Sequence, residues 1–590
     1  MRTFPLLRVK RSNEHLLSEV FIIVALYHLP LWVEAPLGIL RFLLLVAVGS
    51  LIDFLFSLVR YKRLWCCASG VVTAAIISLL TEGIPLWGQL LGVVVALLIG
   101  KHLWGGTGKN VLNPAIVGLL PLMLIFHRSL PVFERSLWYL PAVLLGLLLA
   151  RVRPFAALGL MIGMLAGLHI NQELTLWSIH AYGVLFWGSI IITDPVTVTR
   201  NKVAGAAAGF LAGFGGILFE EVPIALLLGI LLVNLYSTVI ETTAERSRDG
   251  QRARICIPKA VHAGNYDQKL IDLVEAVEPE PINESESAKL SKEAILRRVK
   301  ESGIYGMGGA AFATGRKLQA LLTSKKEKYL IINAVECDPG LIHDSWLLHH
   351  YSEEIRKGID LVAKCTDFKG IYLAAKDIEG LSCPDYITLC QVKDRYPMGA
   401  ERILAKEILG RKIITEQILS MQGILVLNVQ TVYAIYRAIY LGESADTRMI
   451  TVAELDGGRA EVVRVRLGMK LQEVIEAVYP GAVNLFVGGG MMQAKLAEEG
   501  AIVDQRVNFI AAGQYPNYKE SPQCSKCGKC IKSCPNGLRV NLIADLVDQG
   551  RSEETDKYYV NDCISCGSCS FSCPAGRNLM ARVQIAKNSV

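Results

Sequence analysis

Eight cysteines between Cys524 and Cys573 constrain this chain more than any other feature. They form two runs of one spacing, Cys524-x2-Cys527-x2-Cys530-x3-Cys534-Pro535 and Cys563-x2-Cys566-x2-Cys569-x3-Cys573-Pro574. Thiolates so spaced hold cubic 4Fe–4S clusters, three ligands coming from one run and the fourth from the other. Cys524, Cys527, Cys530 and Cys573 are the expected ligands of one cluster, and Cys563, Cys566, Cys569 and Cys534 of the second. Structural zinc favours paired C-x2-C units set apart. Disulfides suit neither this spacing nor a long chain with an apolar half. The chain is expected to carry electrons.

At 590 residues it should hold several domains, and 52% hydrophobic against 19% charged residues is too apolar for an ordinary soluble protein. The excess lies before residue 241. A net charge of +7 would suit anionic partners if it formed a patch, but the basic residues are short clusters between apolar runs, so nucleic-acid binding is not implied. Met1 to His15 is basic and precedes an apolar stretch without a small-residue cleavage pattern, which reads as an uncleaved first helix.

About ten apolar segments follow, near 17–33, 38–59, 68–80, 87–100, 111–126, 137–150, 155–169, 181–193, 203–219 and 223–240. Several are shorter than the ~20 residues of a straight span. Basic residues gather after the even-numbered segments (Arg60 to Arg63, Lys101 with Lys109, Arg151 with Arg153, Arg200 with Lys202, Arg246 to Arg254), placing the N-terminus and everything after 241 in the cytoplasm. Two polar breaks interrupt the apolar half, Gly105 to Asn110 leading to Asn113-Pro114, and Thr193-Asp194-Pro195-Val196-Thr197. Broken backbone at membrane depth survives against protein, a cofactor or a wet cavity, so both are candidate sites, with plain helix capping as the structural alternative. Asp53 is an intramembrane carboxylate and hence a functional candidate; pairing with Arg60 or Lys62 is its structural alternative.

After the membrane half, Arg246 to Arg254 suits anionic lipid, and 275–292 reads as an acidic, proline-containing linker. A helix capped by Ser291 follows, with Ile295, Val299 and Ile304 on its apolar side. Then comes Gly303-Ile304-Tyr305-Gly306-Met307-Gly308-Gly309-Ala310-Ala311-Phe312-Ala313-Thr314-Gly315-Arg316-Lys317. Gly306, Gly308 and Ala311 formally meet a dinucleotide fingerprint, but that motif follows a strand and this one follows a helix. The glycines admit close approach by something flat or anionic, with Lys317 able to meet phosphate. Strands at 328–334, 371–374 and 387–392 with helices at 346–363 and 399–409 give an α/β layer, whose crevice at the carboxyl ends of the strands should hold the glycine loop and the acids of Glu336 and Asp338. Cys256, Cys337, Cys365, Cys383 and Cys390 lack metal spacing; Cys337, beside the crevice, is the one to test for redox chemistry. Cys66-Cys67 reads as packing.

Lys101 to Asn110 with Asn113 to Gly118, and Thr193 to Thr197, resemble signature loops of the D subunit of the Rnf electron-transport complex, whose relative is the B subunit of sodium-pumping NADH:quinone reductase. From about residue 290 onward, the glycine loop, Asn333 to Pro339, Tyr396 to Glu401, Asn428 to Thr431, Val487 to Met492 and the cysteine runs resemble the Rnf C subunit, itself similar to the NADH-oxidising flavoprotein of respiratory complex I. The resemblance implies a polytopic α-helical membrane domain (1–243), a linker (244–292), an α/β FMN/NADH domain (293–445), a small β-grasp domain (446–500) and a two-cluster ferredoxin-like α-helical domain (515–590). It places non-covalent FMN against Gly306, Gly308, Gly309, Lys317, Asn333, Glu336 and Asn428. Phe312, Asp338 and Glu401 fall towards NADH, with Phe312 stacking on the nicotinamide. Three departures stand out. No Gly-Ala-Thr occurs, which weakens the expectation of covalent FMN in the membrane half. Ala311 and Ala313 replace the usual Gly and Pro, and a short linker replaces the biotinyl-like module.

The implied function is electron transfer between NADH, FMN and two 4Fe–4S clusters in the bacterial cytoplasmic membrane, with coupled ion transport left open. The implied partners are other membrane and iron–sulfur subunits, with ferredoxin or NADH exchanging electrons. FMN is needed at that junction because nicotinamide moves electrons in pairs and clusters move them singly. The alternative is a membrane-tethered donor module feeding a soluble reductase without ion pumping; a passive, non-enzymatic scaffold fits the cysteines least.

Overall fold

The computed structural model describes residues 13–61, 68–106, 108–126, 139–149, 153–175, 178–179, 182–194, 196–199, 201–218, 222–243, 251–257, 259–261, 269–274, 290–309, 311–414, 417–514, 520–521 and 524–590. Cys66-Cys67, the collar up to Gly250 and the acidic stretch 275–289 lie outside the described residues.

In the membrane half, helices Asn13–Tyr27, Gly38–Tyr61, Ser69–Leu80, Leu86–Leu97, Pro114–Phe126, Leu140–Leu149, Pro154–Ile170, Lys202–Leu218 and Val222–Thr243 take up the apolar runs. Among the described residues only Gly38–Arg60 is by itself long and apolar enough to cross a bilayer, and the others are shorter apolar helices. Helix Leu86–Leu97 continues into a π-helical turn, Leu98–His102, and Val184–Phe186 into another, Trp187–Ile191; each precedes one of the polar breaks. Such widened turns tend to occur at functional positions. Helices Pro154–Ile170 and Lys202–Leu218 touch main chain to main chain: a methyl added at Gly159, Gly163, Gly209 or Gly213 would collide with the backbone opposite. Residues four apart share a helix face, and small residues there let helices approach closely where lipid supplies no hydrophobic drive between them.

In the soluble half, β2 (Tyr329–Ala334), β3 (Gly370–Ala375), β4 (Ile387–Gln391) and β5 (Ile424–Asn428) form a parallel sheet in the order β4-β3-β2-β5. β2 is central and almost wholly buried, as a strand covered on both faces must be. The chain moves outward from β2 to β4 and then returns to β5 on the other side of β2. The crevice is therefore at the ends of β2 and β5, where the order reverses. The helix expected over 346–363 is two helices, His343–His350 and Ser352–Ala363, because Tyr351 leaves the helical region at φ −128°. β5 is an apolar strand that the sequence reading did not single out.

A second, mixed sheet takes β1 (Ile271–Asp272), β6 (Thr447–Glu454), β7 (Arg459–Arg466), β8 (Leu485–Gly488), β9 (Lys495–Leu496) and β10 (Phe509–Ala512) in the order β1-β7-β6-β10-β8-β9. Helix Leu471–Val478 packs Leu471, Val474 and Ile475 into its core with Ile450, Val463 and Ile510. After it the two cysteine runs repeat one backbone. Lys526 and Ser565 are left-handed (φ 49° and 54°), Gly528 and Gly567 both have φ 75°, and short helices Lys529–Ser533 and Ser568–Phe571 follow. Helices Val540–Asp548 and Leu579–Ser589 close over them around Ile543 and Val583.

Candidate functional site

The crevice between β2 and β5 opens into a cleft of about 660 Å³. Its floor is set by register: Asn333 is the last residue but one of β2, Asn428 ends β5, and the two are paired across the sheet. Asn333 accepts the N–H of Val335 (3.0 Å) and donates to the Gly399 carbonyl (2.9 Å). Asn428 caps helix Val429–Tyr440 by accepting from Gln430 N (2.9 Å) and donates to Asp344 Oδ2 (2.7 Å).

The glycine loop forms one wall. It is closed at its base, where Gly306 N–H donates to the Phe312 carbonyl (2.8 Å) and Thr314 N–H to that of Ile304 (2.9 Å). Met307 N–H is tied to Thr431 Oγ1 (2.9 Å), and the Met307 carbonyl accepts from Asn508 (2.9 Å) and Arg448 (3.3 Å). Ala311, where the resembling family has Gly, sits at φ 50°. The position demands left-handed backbone, and the methyl makes that less favourable.

All ten residues expected to meet FMN or NADH line this cleft: Gly306, Gly308, Gly309, Phe312, Lys317, Asn333, Glu336, Asp338, Glu401 and Asn428. Their local roles differ. Lys317 and Glu401 form an ion pair at 2.5 Å, with Glu401 the more exposed partner. Phe312 is 43% exposed, an open aromatic face. Asp338 is buried and accepts N–H groups of Gly340 (2.9 Å), Met491 (2.8 Å) and Met492 (3.2 Å), stapling the β2 loop to the segment after β8. Burial raises its carboxyl above the usual range, against those hydrogen bonds, which lower it. Glu336 accepts from Asp344 N–H (2.9 Å) and has Lys259 at 3.8 Å.

Asp344 is the cleft residue that sequence reasoning missed. Burial and then the Glu336 charge push its carboxyl up to about 7, and its buried Oδ1 has no hydrogen-bond partner among the described residues. The signal was its place six residues after Asp338, too weak to read without the fold. Cys337 lines the same cleft, its sulfur accepting Gly399 N–H at 3.2 Å. Burial pushes the thiol up to about 12, so it is held protonated and makes a poor nucleophile.

The cysteines divide into two groups of four. Cys524, Cys527, Cys530 and Cys573 line one small cavity, and Cys534, Cys563, Cys566 and Cys569 line another. Backbone N–H groups point at sulfur in matching places, Lys526 to Cys524 (3.4 Å) and Ser565 to Cys563 (3.3 Å). Four thiols around each hollow fit a 4Fe–4S cube. Ile564, Ser565 and Cys566 also line the 660 Å³ cleft, and Tyr396 Oη donates to the Cys566 carbonyl (2.8 Å). The Cys524 run faces the other way. Gly108, in the first polar break, abuts the Cys524 carbonyl, and Arg153 donates to the Lys526 carbonyl (3.4 Å).

Three family models match the chain: the NQR2, RnfD, RnfE family over residues 2–141, the Nuo51 FMN-binding domain over 299–437, and a 4Fe-4S dicluster domain over 515–578. An RnfD-like membrane region is joined to FMN-binding and iron–sulfur domains. Similar proteins include the C subunit of the ion-translocating oxidoreductase complex of Haemophilus influenzae, 28% identical over 318 residues that cover 50% of this chain and 38% of that one. The same subunit from Rhodobacter capsulatus is 31% identical over 268 residues, covering 42% and 50%. The chain thus spans half or less of the length of these relatives. The structure of an NAD+-reducing [NiFe]-hydrogenase in the H2-reduced state aligns with 51% of this chain and 54% of that one at 18% identity and a TM-score of 0.34. The RnfD-like match ends at residue 141, before the second polar break.

Proposed function

We propose that the chain is a membrane-bound electron-transfer protein of an Rnf-like NAD(H):ferredoxin oxidoreductase. The observation that carries this is the shared wall: Ile564 to Cys566 belong both to the cleft of the FMN-binding domain and to the hollow ringed by Cys534, Cys563, Cys566 and Cys569. FMN, when bound, supplies the exchange between paired and single electrons. Gly306, Gly308 and Gly309 leave room for it, Lys317 and Asn333 offer it donors, and Glu336 and Asn428 fix the β2 and β5 ends beneath it. Phe312 and Glu401, at the open mouth, are suited to receive NADH; Asp338 shapes the wall between them and the second sheet. The two groups of four cysteines each take a 4Fe–4S cluster.

The domain plan follows the same reading, with 1–243 in the membrane, 293–445 for flavin, 446–500 with β10 as the β-grasp unit, 515–590 for the clusters, and 244–292 as a connection that is more than the expected linker, since Val261 enters the flavin-domain core and β1 joins the second sheet. The basic loops place the N-terminus and the soluble half in the cytoplasm. Other Rnf-like membrane and iron–sulfur subunits are the partners, with ferredoxin as the second electron partner. Anaerobic purification of the full chain, with iron and extractable flavin quantified, tests the reading. NADH should bleach both flavin and clusters. If NADH bleaches neither while a low-potential dye reduces the clusters, the NADH assignment fails.

A further inference from the structure

Between the membrane half and the flavin domain the chain lays a strap across the cleft. In Arg252 to Ile257 apolar side chains stand at every second place, the pattern of an extended segment with one face covered. Ala253, Ile255 and Ile257 pack against apolar clusters, while Arg252 and Cys256 are exposed. A simple tether needs no fixed contacts, yet this segment has them at both ends and in the middle. Gln251 Nε2 donates to the Ile413 carbonyl (3.1 Å), and Arg252 N–H to that of Pro535 (3.1 Å), next to Cys534. Ile255 and Tyr396 pair as an antiparallel bridge: Tyr396 N–H donates to the Ile255 carbonyl (2.7 Å), and the N–H groups of Arg254 (3.1 Å) and Ile255 (3.3 Å) donate to the Tyr396 carbonyl. Farther on, Lys259 donates to the carbonyls of Asp338 (3.2 Å) and Leu341, and Ala260 N–H to that of Pro339 (2.9 Å).

Ile257 lies where these ties converge. It is 8% exposed and shares a small apolar cluster with Tyr396, Met492 and Cys566, which come from the flavin domain, the segment after β8 and the second cysteine run. Tyr396 thus has the strap on one side and a cluster ligand on the other. Its backbone is paired with Ile255, and its hydroxyl, a donor in the neutral phenol, is given to the Cys566 carbonyl at 2.8 Å. Tyr396 and Cys566 both line the flavin-domain cleft, and Cys566 is also one of the four thiols around the adjoining hollow.

We propose that Ile257 and Tyr396 are positioning residues for the electron step between the flavin and the Cys563-side cluster, the strap setting the place of Tyr396 and Tyr396 the place of Cys566. These roles rest on the electron-transfer reading above. One electron crosses and no bond is made or broken. What the protein controls is therefore the separation, on which tunnelling depends steeply, and the dipoles that face the cluster. The Tyr396 hydroxyl turns its hydrogen towards the Cys566 carbonyl, which favours the extra negative charge of a reduced cluster.

The test uses the full chain in lipid nanodiscs, carrying flavin and clusters. A flash with a sacrificial donor reduces the flavin without NADH, rapid-freeze paramagnetic resonance follows the clusters, and a low-potential dye titrates them separately. Ile257→Ala should slow reduction of the Cys563-side cluster by flavin and leave it fully reducible by the dye. Ile257→Val, a milder loss that keeps the fold, should lie between native and Ile257→Ala. Tyr396→Phe keeps the ring and loses the hydroxyl; it should slow the same step and lower the Cys563-side midpoint potential, with the Cys524-side potential unmoved. Because the strap acts through Tyr396, the double variant should be no slower than the slower single one. A native rate in both Ile257 variants, an unshifted potential in Tyr396→Phe, or effects that multiply in the double variant overturns these roles and leaves the electron-transfer reading intact. Absence of any reducible cluster in the native chain overturns both.

Discussion

The two cysteine runs have the same spacing and the same backbone but face different surroundings. The Cys563 run is set into the wall of the flavin-domain cleft, in contact with Tyr396, Met492 and Ile257, and Lys587 donates to the Cys563 carbonyl (3.0 Å). The Cys524 run lies beside Arg577 and Lys526 and against the membrane half through Gly108 and Arg153. Ligand spacing fixes what binds; the neighbours fix where an electron rests. Adding an electron makes a cluster more negative, so the charges beside each run bear on its potential: Arg577 and Lys526, offset by Asp545, stand by the Cys524 run and Lys587 by the Cys563 run, and the two sides should differ in reduction potential.

The strongest way to break this comparison is to remove one group at a time. Cys566→Ala should stop electrons passing from flavin to either cluster, whereas Cys524→Ala should leave the Cys563-side cluster reducible by the flavin and abolish only the other; rapid-freeze paramagnetic resonance separates the two. Equal loss in both variants would mean that the runs do not act in series. Next in size is Arg577→Met. Arg577 is buried and paired with Asp545 (3.4 Å) and Asp548. Breaking a buried pair costs about 3–5 kcal/mol, so thermal unfolding of the cluster-loaded chain should fall well below native. The Cys524-side potential should drop with it, with no change on the Cys563 side.

Asp344 provides a pH-dependent contrast at the flavin end. Its carboxyl is raised to about 7 in the folded chain, chiefly by burial, against about 3.9 when unfolded. The folded state therefore binds the extra proton between these values, and stability declines as pH rises through that window. Asp344→Asn should match native at pH 4, be increasingly more stable towards pH 7, and keep a constant margin above it, as read by thermal unfolding at each pH. The smallest effect concerns the shared backbone. Lys526→Gly and Ser565→Gly each relieve a left-handed residue and should stabilise by about 1 kcal/mol. The two gains should be equal, while only Lys526→Gly should alter the Cys524-side potential.

What the sequence disclosed follows from how local each signal is. The cysteines that surround one hollow come from both runs, yet the spacing alone divides them, because cross-ligation is built into the repeat. The glycine loop was legible because few structural turns need four glycines within seven residues. The staple made by Asp338 was not, since its partners Met491 and Met492 are about 150 residues away. Asp53 was visible as a charge in an apolar run, but its true partners, Lys101 and His102, are 48 and 49 residues on. β5 was passed over because the four-residue apolar run Ile424 to Leu427, without alternation, reads equally as buried strand or helix.

The glycine ribs of helices Pro154–Ile170 and Lys202–Leu218 bear on how the second polar break can respond. Main chains in contact over successive turns leave no side-chain padding to deform, so the pair acts as one stiff strut. Thr193, Asp194, Val196 and Thr197 come between these two helices in the chain, and Asn234, from Val222–Thr243, donates to the Thr197 carbonyl (3.3 Å) while accepting Asn113 N–H (2.8 Å). One amide thereby clamps both breaks together. The two breaks are held to one another through that single side chain, beside a helix pair whose close approach no larger residue could keep.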